Sequence, residues 1–407
     1  MTEPAAPAII CLASFYKGAD FLREARAQGA RVFLVTKERW RGEDWPRDSL
    51  EAFIALPDDA TPELFIQVAS EIKKRNNVAR VVALEEFDVI TSGLVREHLR
   101  LPGLTSSHAR LFRDKLAMRG AARDAGIRVP EFVHLCNFQE VGEFMERVPA
   151  PWVLKPRTDV SSIGVRKMAD AEQVWRALES LDARERPHER ATFHLLERFV
   201  AGEVFHVDSI VFDGEVVFAG VSRYGRPPMK VMHEGGVYLS STVEHDSGER
   251  AALLDINGRV ISALGLRRGA THAEFIRGEA DGEYYFLEIA ARVGGAFTAE
   301  TLEAATGVNL WREWAKVELS DVLRPYETPA PRRDYSGIAL SLARQESPDT
   351  AHFDDAEIVM RPRKSHHVAL VVRAGSAARV RELLDNYAAR FAEEFIAVAP
   401  PPERPPI

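Results

Sequence analysis

Two apolar, strand-like runs separated by a glycine-bounded turn constrain this chain more than any other feature. Thr271–Arg277 (THAEFIR) and Glu283–Ala290 (EYYFLEIA) flank Gly278-Glu279-Ala280-Asp281-Gly282, the pattern of an antiparallel hairpin. Side chains alternate along a strand, so His272, Glu274 and Ile276 share one face. Closing the hairpin across 278–284 sets Glu274 opposite Glu288, with Arg292 further along the same face if the strand stays extended. Two carboxylates directly opposite repel unless something neutralises them. A divalent cation would do so, because Mg²⁺ commonly takes one or two carboxylates together with substrate phosphates. A hairpin whose glutamates simply face water is the other reading, and the hairpin alone leaves both open.

The rest of the chain supplies a frame. Ala8–Ala13, Arg31–Thr36 and Ala79–Leu84 are short apolar runs suited to buried parallel strands. Helical patterns lie between and after them, at Ala19–Gln28, Pro62–Lys74 and Asp88–His98. This βαβ series predicts a doubly wound, Rossmann-like domain over 1–103. Its first turn, Ser14-Phe15-Tyr16-Lys17-Gly18, has a single glycine, so the dinucleotide fingerprint is absent, and no P-loop motif occurs. A second unit spans 104–324, with a helix over Ser106–Gly126 and strands at Pro151–Lys155, His194–Phe199 and Val204–Phe212. A proline-rich linker, 325–334, leads to a small α+β lobe over 335–399 with a helix at Ser376–Glu394, and 400–407 is a proline-rich tail. The fold class is therefore mixed α/β and α+β, in three units.

Composition narrows the function. Across 407 residues, 61 acids against 53 bases leave a formal charge of −8. That balance argues against non-specific nucleic-acid binding, which rests on clustered Lys and Arg. Two cysteines, Cys11 and Cys136, cannot build a disulfide framework or a structural zinc site. With no basic-then-apolar leader at Met1–Pro7 and no run long enough to cross a bilayer, the expectation is a soluble cytoplasmic enzyme, without a membrane or nucleic-acid partner.

Other residues bear on phosphate chemistry. Lys155 sits inside the apolar run Val153-Leu154-Lys155-Pro156 and calls for an anionic partner. The loop Thr158–Val165 offers hydroxyls and a glycine that could lie over phosphates, or is an ordinary turn. Lys115, in Arg113-Asp114-Lys115, reads by itself as a solvated helix-flank lysine. The stretch His194–Glu203 joins an apolar strand to a glycine turn and could supply an adenine slot.

Taken in order, these segments resemble the ATP-grasp superfamily, in its biotin-carboxylase-like branch, and within that the carboxylate–amine (L-amino-acid) ligases. The carriers are RDKLAMRGAARDAGIRVP (113–130), VLKPRTDVSSIGV (153–165), LLERFVAGEVFHVDSIV (195–211), HAEFI (272–276) and FLEIAARVGG (286–295), and the likeness runs from Ala8 through Leu319. The resemblance implies a pre-ATP-grasp domain, a two-lobed ATP-clamping core and a C-terminal lobe. It implies that Lys115 and Lys155 contact ATP phosphates under a loop carrying Ser161, Ser162 and Gly164. Glu197 and the backbone of Arg198, Phe199 and Val200 match the adenine hinge. Glu274 and Glu288 match ligands for one or two Mg²⁺ (or Mn²⁺) ions, and Arg292 matches the arginine that stabilises the transferring phosphoryl group. His272 stands as a neighbour of the metal site or a catalytic group.

The sequence departs from the family pattern twice. The second metal strand reads E-x-A-x-R, with Ala290 where Asn is usual, and Val204 replaces a hinge Glu, leaving Glu203 to hold the ribose. The implied reaction is ATP-dependent amide formation between a small carboxylate and an amine, through an acyl-phosphate. The alternatives are a carboxylase or purine-pathway ligase on the same scaffold and a catalytically silent nucleotide-binding protein. Val221–Ser241 is the candidate substrate segment, in which Arg223, Arg226, Lys230 and His233 could bind a carboxylate, or it is a flexible polar loop. Glu85, at a strand C-terminus, holds a substrate ammonium or is a surface carboxylate. A homodimer is the expected assembly on frequency alone.

Overall fold

The computed structural model describes residues 6–160 and 163–397, and leaves undescribed the side chains of Met232 and His233. Ser161, Ser162 and the 400–407 tail lie outside the described residues.

Four strands, β1 (Ala8–Ala13), β2 (Arg31–Lys37), β3 (Ala52–Leu56) and β4 (Val78–Ala83), form a parallel sheet in the order β3-β2-β1-β4. Every residue of β1 is buried, because helices cover both faces of the sheet, which is why it reads as a continuous apolar run. β3 was not anticipated: AFIAL is short and its first four residues are only half-buried. The C-terminal helix of the core, Leu310–Leu319, docks on this domain, with Trp314 edge-on to the fully buried Phe21 at 5.2 Å.

A second sheet contains β5 (Phe132–His134), β6 (Trp152–Pro156), β7 (Arg166–Met168) and β8 (His194–Arg198), antiparallel in the order β5-β8-β6-β7. The predicted helix Ser106–Gly126 is broken into Ser106–Arg110 and Lys115–Asp124. Asp114 causes the restart: its carboxylate caps the second helix by accepting from the Leu116 amide at 3.0 Å. Lys115 thereby becomes the first residue of a helix.

The third sheet has eight strands: β9 (Gly202–Phe212), β10 (Glu215–Tyr224), β11 (Tyr238–Thr242), β12 (Gly269–Gly278), β13 (Tyr284–Ala290), β14 (Tyr335–Leu342), β15 (Ile358–Met360) and β16 (His367–Ala374). They run antiparallel in the order β13-β12-β9-β10-β11-β14-β16-β15. The unit from Tyr335 is therefore not a separate sheet: β14 pairs with β11, Ser240 facing Ile338, and extends the central one. The candidate substrate segment is not a flexible loop. It is the end of β10, a helix at Pro228–Glu234, and β11.

Candidate functional site

The hairpin of β12 and β13 forms with Glu274 opposite Glu288 and His272 opposite Ala290. Nearer the turn the register slips, so that Phe275 faces Phe286 and Arg277 faces Tyr284. A bulge there leaves Leu287 as the extra residue and shortens the turn, without moving the two glutamates apart. β12 also pairs with β9, setting His206 opposite Glu274 and Asp208 opposite His272. These side chains share one face of the sheet, while the other packs Phe205, Ala273, Phe275 and Phe286 on the helix Gly248–Leu264.

That face is one wall of a cavity of about 660 Å³, and the second sheet is the other. Lys115, Lys155, Glu197 and the hinge 198–204 line it, together with Glu274, Glu288 and Lys230. Its size suits a drug-sized or nucleotide-sized ligand. Lys155 has the anionic partner its position demanded: Glu197 lies 2.7 Å from its Nζ. Burial, then the nearby Arg119 charge, draws the Lys155 ammonium down to about 8. Arg119 is fully buried, 2.9 Å from Glu197, and donates to the Phe286 carbonyl at 2.7 Å. It ties the helix Lys115–Asp124 to β8 and β13. Sequence reasoning missed it, although its spacing of four from Lys115 puts both on one helix face.

Lys115 is buried, not solvated. Its Nζ donates to the Asp159 carbonyl at 2.7 Å and stands 3.2 Å from Glu288. Glu274 accepts from the Tyr224 hydroxyl at 2.7 Å and lies 3.7 Å from His272 Nε2. Each carboxylate thus meets a neutralising or donor group yet still opens on the cavity, an arrangement that fits a divalent cation. Gly164 has φ +71°, and a Cβ there would approach Pro156 Cγ to 2.9 Å, so the loop needs glycine at this point. Of the hinge residues, Arg198 donates to the Tyr285 hydroxyl at 3.0 Å, and the Phe199 ring carries the Lys167 ammonium at 4.0 Å. Val200 and Val204 pack with Tyr224 and Ile276 in a small apolar cluster lining the cavity.

The sequence reading also missed a buried relay. Asp208, fully buried, accepts from His206 Nδ1 at 2.5 Å and from His272 Nδ1 at 2.7 Å. His206 Nε2 reaches the Ser240 hydroxyl at 2.7 Å. Burial opposes the charged ring, but the Asp208 carboxylate outweighs it and raises the His272 imidazole to about 10. These are hydrogen-bond lengths, shorter than the separation between two ligands of one metal ion. The signal was available as His-x-Asp on one strand facing His-x-Glu on the next.

Arg292 and Glu85 meet at the seam with the parallel sheet. Arg292 Nη2 lies 2.7 Å from Glu86, and its Nη1 donates to the Val293 carbonyl at 2.9 Å. Arg113 holds the other Glu86 oxygen at 2.5 Å. Glu85 is not a surface carboxylate: it is buried and pairs with Lys17 at 2.6 Å. Two other candidate residues are engaged elsewhere. Arg223 points to the opposite face of β10 from Tyr224, where Glu249 at 2.7 Å and Glu203 at 3.1 Å hold it. Arg226 is engaged by Glu234 at 2.5 Å, and neither arginine lines the cavity. Alternation along β10 accounts for this.

Residues 148–300 match the family model for an ATP-grasp domain. The chain is 24% identical over 262 residues to an L-arginine-specific L-amino acid ligase of Bacillus subtilis, covering 63% of this chain and 62% of that one. It is 24% identical over 273 residues to an alanine–anticapsin ligase of Bacillus subtilis, covering 62% and 56%. The matches thus span less than two thirds of these relatives' lengths. Among solved structures, an L-amino acid ligase from Bacillus licheniformis superposes with a TM-score of 0.71 at 19% identity, over 98% of this chain and 99% of that one. An N5-carboxyaminoimidazole synthetase from Staphylococcus aureus complexed with ADP superposes with a TM-score of 0.72 at 14% identity, over 95% and 97%.

Proposed function

We propose, from the premise that this chain carries an ATP-grasp domain, that it is an ATP-dependent ligase forming an amide bond between a carboxylate and an amine, with amino acids as the substrate class. The observation that carries this reading is the one cavity into which Glu274 and Glu288 from one wall and Lys115 and Lys155 from the other converge. In this reading the nucleotide lies in the cavity, with its phosphates against Lys115 and Lys155 under the loop of Ser161, Ser162 and Gly164. The backbone of Arg198–Val200 beside Glu197 receives the base, while the Glu203 carboxylate is engaged by Arg223 on the far face of the sheet and is not assigned the ribose. Mg²⁺ held by Glu274 and Glu288 would neutralise phosphate charge and help align the transferred group. Arg292, already pinned by Glu86, would stabilise the phosphoryl group as it passes to the substrate carboxylate. The resulting acyl-phosphate loses phosphate when the amine attacks and gives up a proton, and His272 Nε2, with Nδ1 fixed by Asp208, lies 3.7 Å from Glu274.

The names of the relatives in Bacillus support amino acids as substrates, and the likeness to an L-amino acid ligase over nearly the whole chain supports the same architecture. The units 1–103, 104–324 and 335–399 would serve as pre-ATP-grasp domain, ATP-clamping core and C-terminal extension. A cytoplasmic homodimer is the assembly that accompanies this reading; among the described residues no helix is long and apolar enough to cross a membrane. The deciding experiment incubates the protein with ATP, Mg²⁺ and a panel of amino acids, reading phosphate release and product mass. Amide product that requires both a carboxylate and an amine supports the reading. Bicarbonate-dependent hydrolysis without an amide would move it to a carboxylase, and ATP binding without turnover to a silent nucleotide-binding protein.

A further inference from the structure

A second cavity, of about 500 Å³, lies between the parallel sheet and the start of β12. It is separate from the nucleotide cavity and shares none of its lining residues. Arg80, Arg96, Arg267 and Arg268 line it, with Trp314 and the main chain of Gly103 and Leu104. Most of its charges are already matched. Arg80 pairs with Asp321 and lies 3.8 Å from Glu318. Arg268 reaches Asp321 at 2.8 Å and Asp213 at 3.0 Å.

Arg96 is different. It is only 8% exposed, and its guanidinium donates to two main-chain carbonyls, Val81 at 2.7 Å and Leu104 at 2.9 Å. Among the described residues no carboxylate comes within 4.0 Å of it to form an ion pair. Burial draws it down to about 10, and Glu318 and Glu97 act on it only at longer range. Burial raises the Glu318 carboxyl, opposed by the Trp314 hydrogen bond and by the charges of Arg80, Arg96 and Arg268. A buried charge without a partner is costly and calls for an anion. The fold makes room for the side chain: Gly103 has φ +127°, and a Cβ there would sit 2.8 Å from Arg96 Cδ.

We propose that this cavity binds a small organic oxyanion, a carboxylate or a phosphate monoester, with Arg96 as its counter-charge. The volume falls in the range of small-molecule sites and exceeds what an inorganic ion needs. Trp314 and Leu266 offer apolar surface for the rest of the ligand, and Arg267 and Arg268 stand at the same cavity. The occupant would sit behind the nucleotide site's arginine, because Ala291 lines the cavity and precedes Arg292, while the lining residues Val81–Ala83 lead along β4 to Glu85 and Glu86.

The test is the melting midpoint of the full chain, titrated with citrate, glucose 6-phosphate and inorganic phosphate at matched ionic strength. A saturable rise with citrate marks a carboxylate site, and one with glucose 6-phosphate a phosphate-ester site. The half-saturating concentration should rise about tenfold in Arg96→Gln, as expected for loss of one charged hydrogen-bond partner. It should stay unchanged in Lys155→Met, which alters only the nucleotide cavity. If Arg96→Gln does not fold, Arg267→Gln decides: its side chain is 77% exposed, and its loss should weaken binding about threefold. The proposal is overturned if no probe gives a saturable shift, if the half-saturation is the same in the folded arginine variants, or if Lys155→Met abolishes the effect.

Discussion

Glu86→Gln tests whether the seam between the parallel sheet and the hairpin is held electrostatically. Glu86 is buried and lies between Arg292 at 2.7 Å and Arg113 at 2.5 Å. Burial opposes its charge, but Arg292 and then Arg113 overcome this and take the carboxyl from 4.5 to about 2. A carboxyl held that far down represents about 3 kcal/mol of native-state stabilisation. Because the folded value is depressed, this stability is fully present above about pH 4.5 and is lost as pH falls toward 2. Glutamine keeps the shape and one acceptor oxygen but leaves the buried Arg113 without a counter-charge and Arg292 with only Glu85, at 3.9 Å. For a cooperative unit the size of the core, the melting midpoint at pH 7 should fall by roughly 6–12 °C. The gap between wild type and variant should then narrow as pH is lowered through 4 and 3, where the wild type loses the same interaction. Calorimetric scans across that range provide the measurement. A midpoint unchanged at pH 7, or a gap that stays constant down to pH 3, would refute the argument. The same variant should turn over ATP more slowly while keeping its nucleotide affinity, since Lys115 and Lys155 are untouched.

Lys155→Met should leave a folded protein, because Arg119 remains 2.9 Å from Glu197 to hold that carboxylate. Its affinity for a non-hydrolysable ATP analogue, measured calorimetrically, should drop at least about tenfold, the loss of one charged phosphate contact. Glu274→Gln and Glu288→Gln should each shrink the extra stabilisation that ATP with Mg²⁺ gives over ATP alone, read from the melting midpoint. Gly164→Ala should raise the KM for ATP without unfolding the chain, because a side chain at φ +71° costs roughly 1–2 kcal/mol and would press on Pro156. Arg223→Ala should leave the KM for every substrate unchanged, since Arg223 faces Glu249 on the far side of the sheet.

The features visible in the sequence are those set by local pattern. Alternation and the turn residues placed Glu274 across from Glu288, and the bulge at Leu287 fell where it altered the turn and not the pair. Lys155 announced its partner, because an ammonium in an apolar strand needs one, although only the fold could say that Glu197 supplies it. What stayed hidden depends on strands far apart in the chain. His206 and Asp208 lie about 65 residues before the hairpin, and only the pairing of β9 with β12 brings them to His272. Glu85, open in the sequence between an ammonium ligand and a surface carboxylate, is buried together with Glu86 and Asp88. Arg223 stays ambiguous in the sequence because Val221–Ser241 is open between a binding segment and a polar loop, so the alternation that turns it away from Tyr224 is not applied.

The departure at Ala290 also gains a physical context from the pairing. Ala290 stands directly opposite His272 and is buried, so a larger polar side chain there would compete with the imidazole for the same space. The imidazole in turn cannot swing aside freely, because Asp208 holds its Nδ1, and Gly294 packs so closely that a Cβ there would come within 2.8 Å of the same atom. The small residue on β13, the histidine on β12 and the aspartate on β9 therefore form one packing solution across three adjacent strands. In it, the polar group nearest Glu274 on the hairpin side is a ring nitrogen at 3.7 Å instead of a side-chain amide. Exchanging Ala290 alone for asparagine would therefore set a larger polar side chain against His272, whose ring Asp208 holds in place.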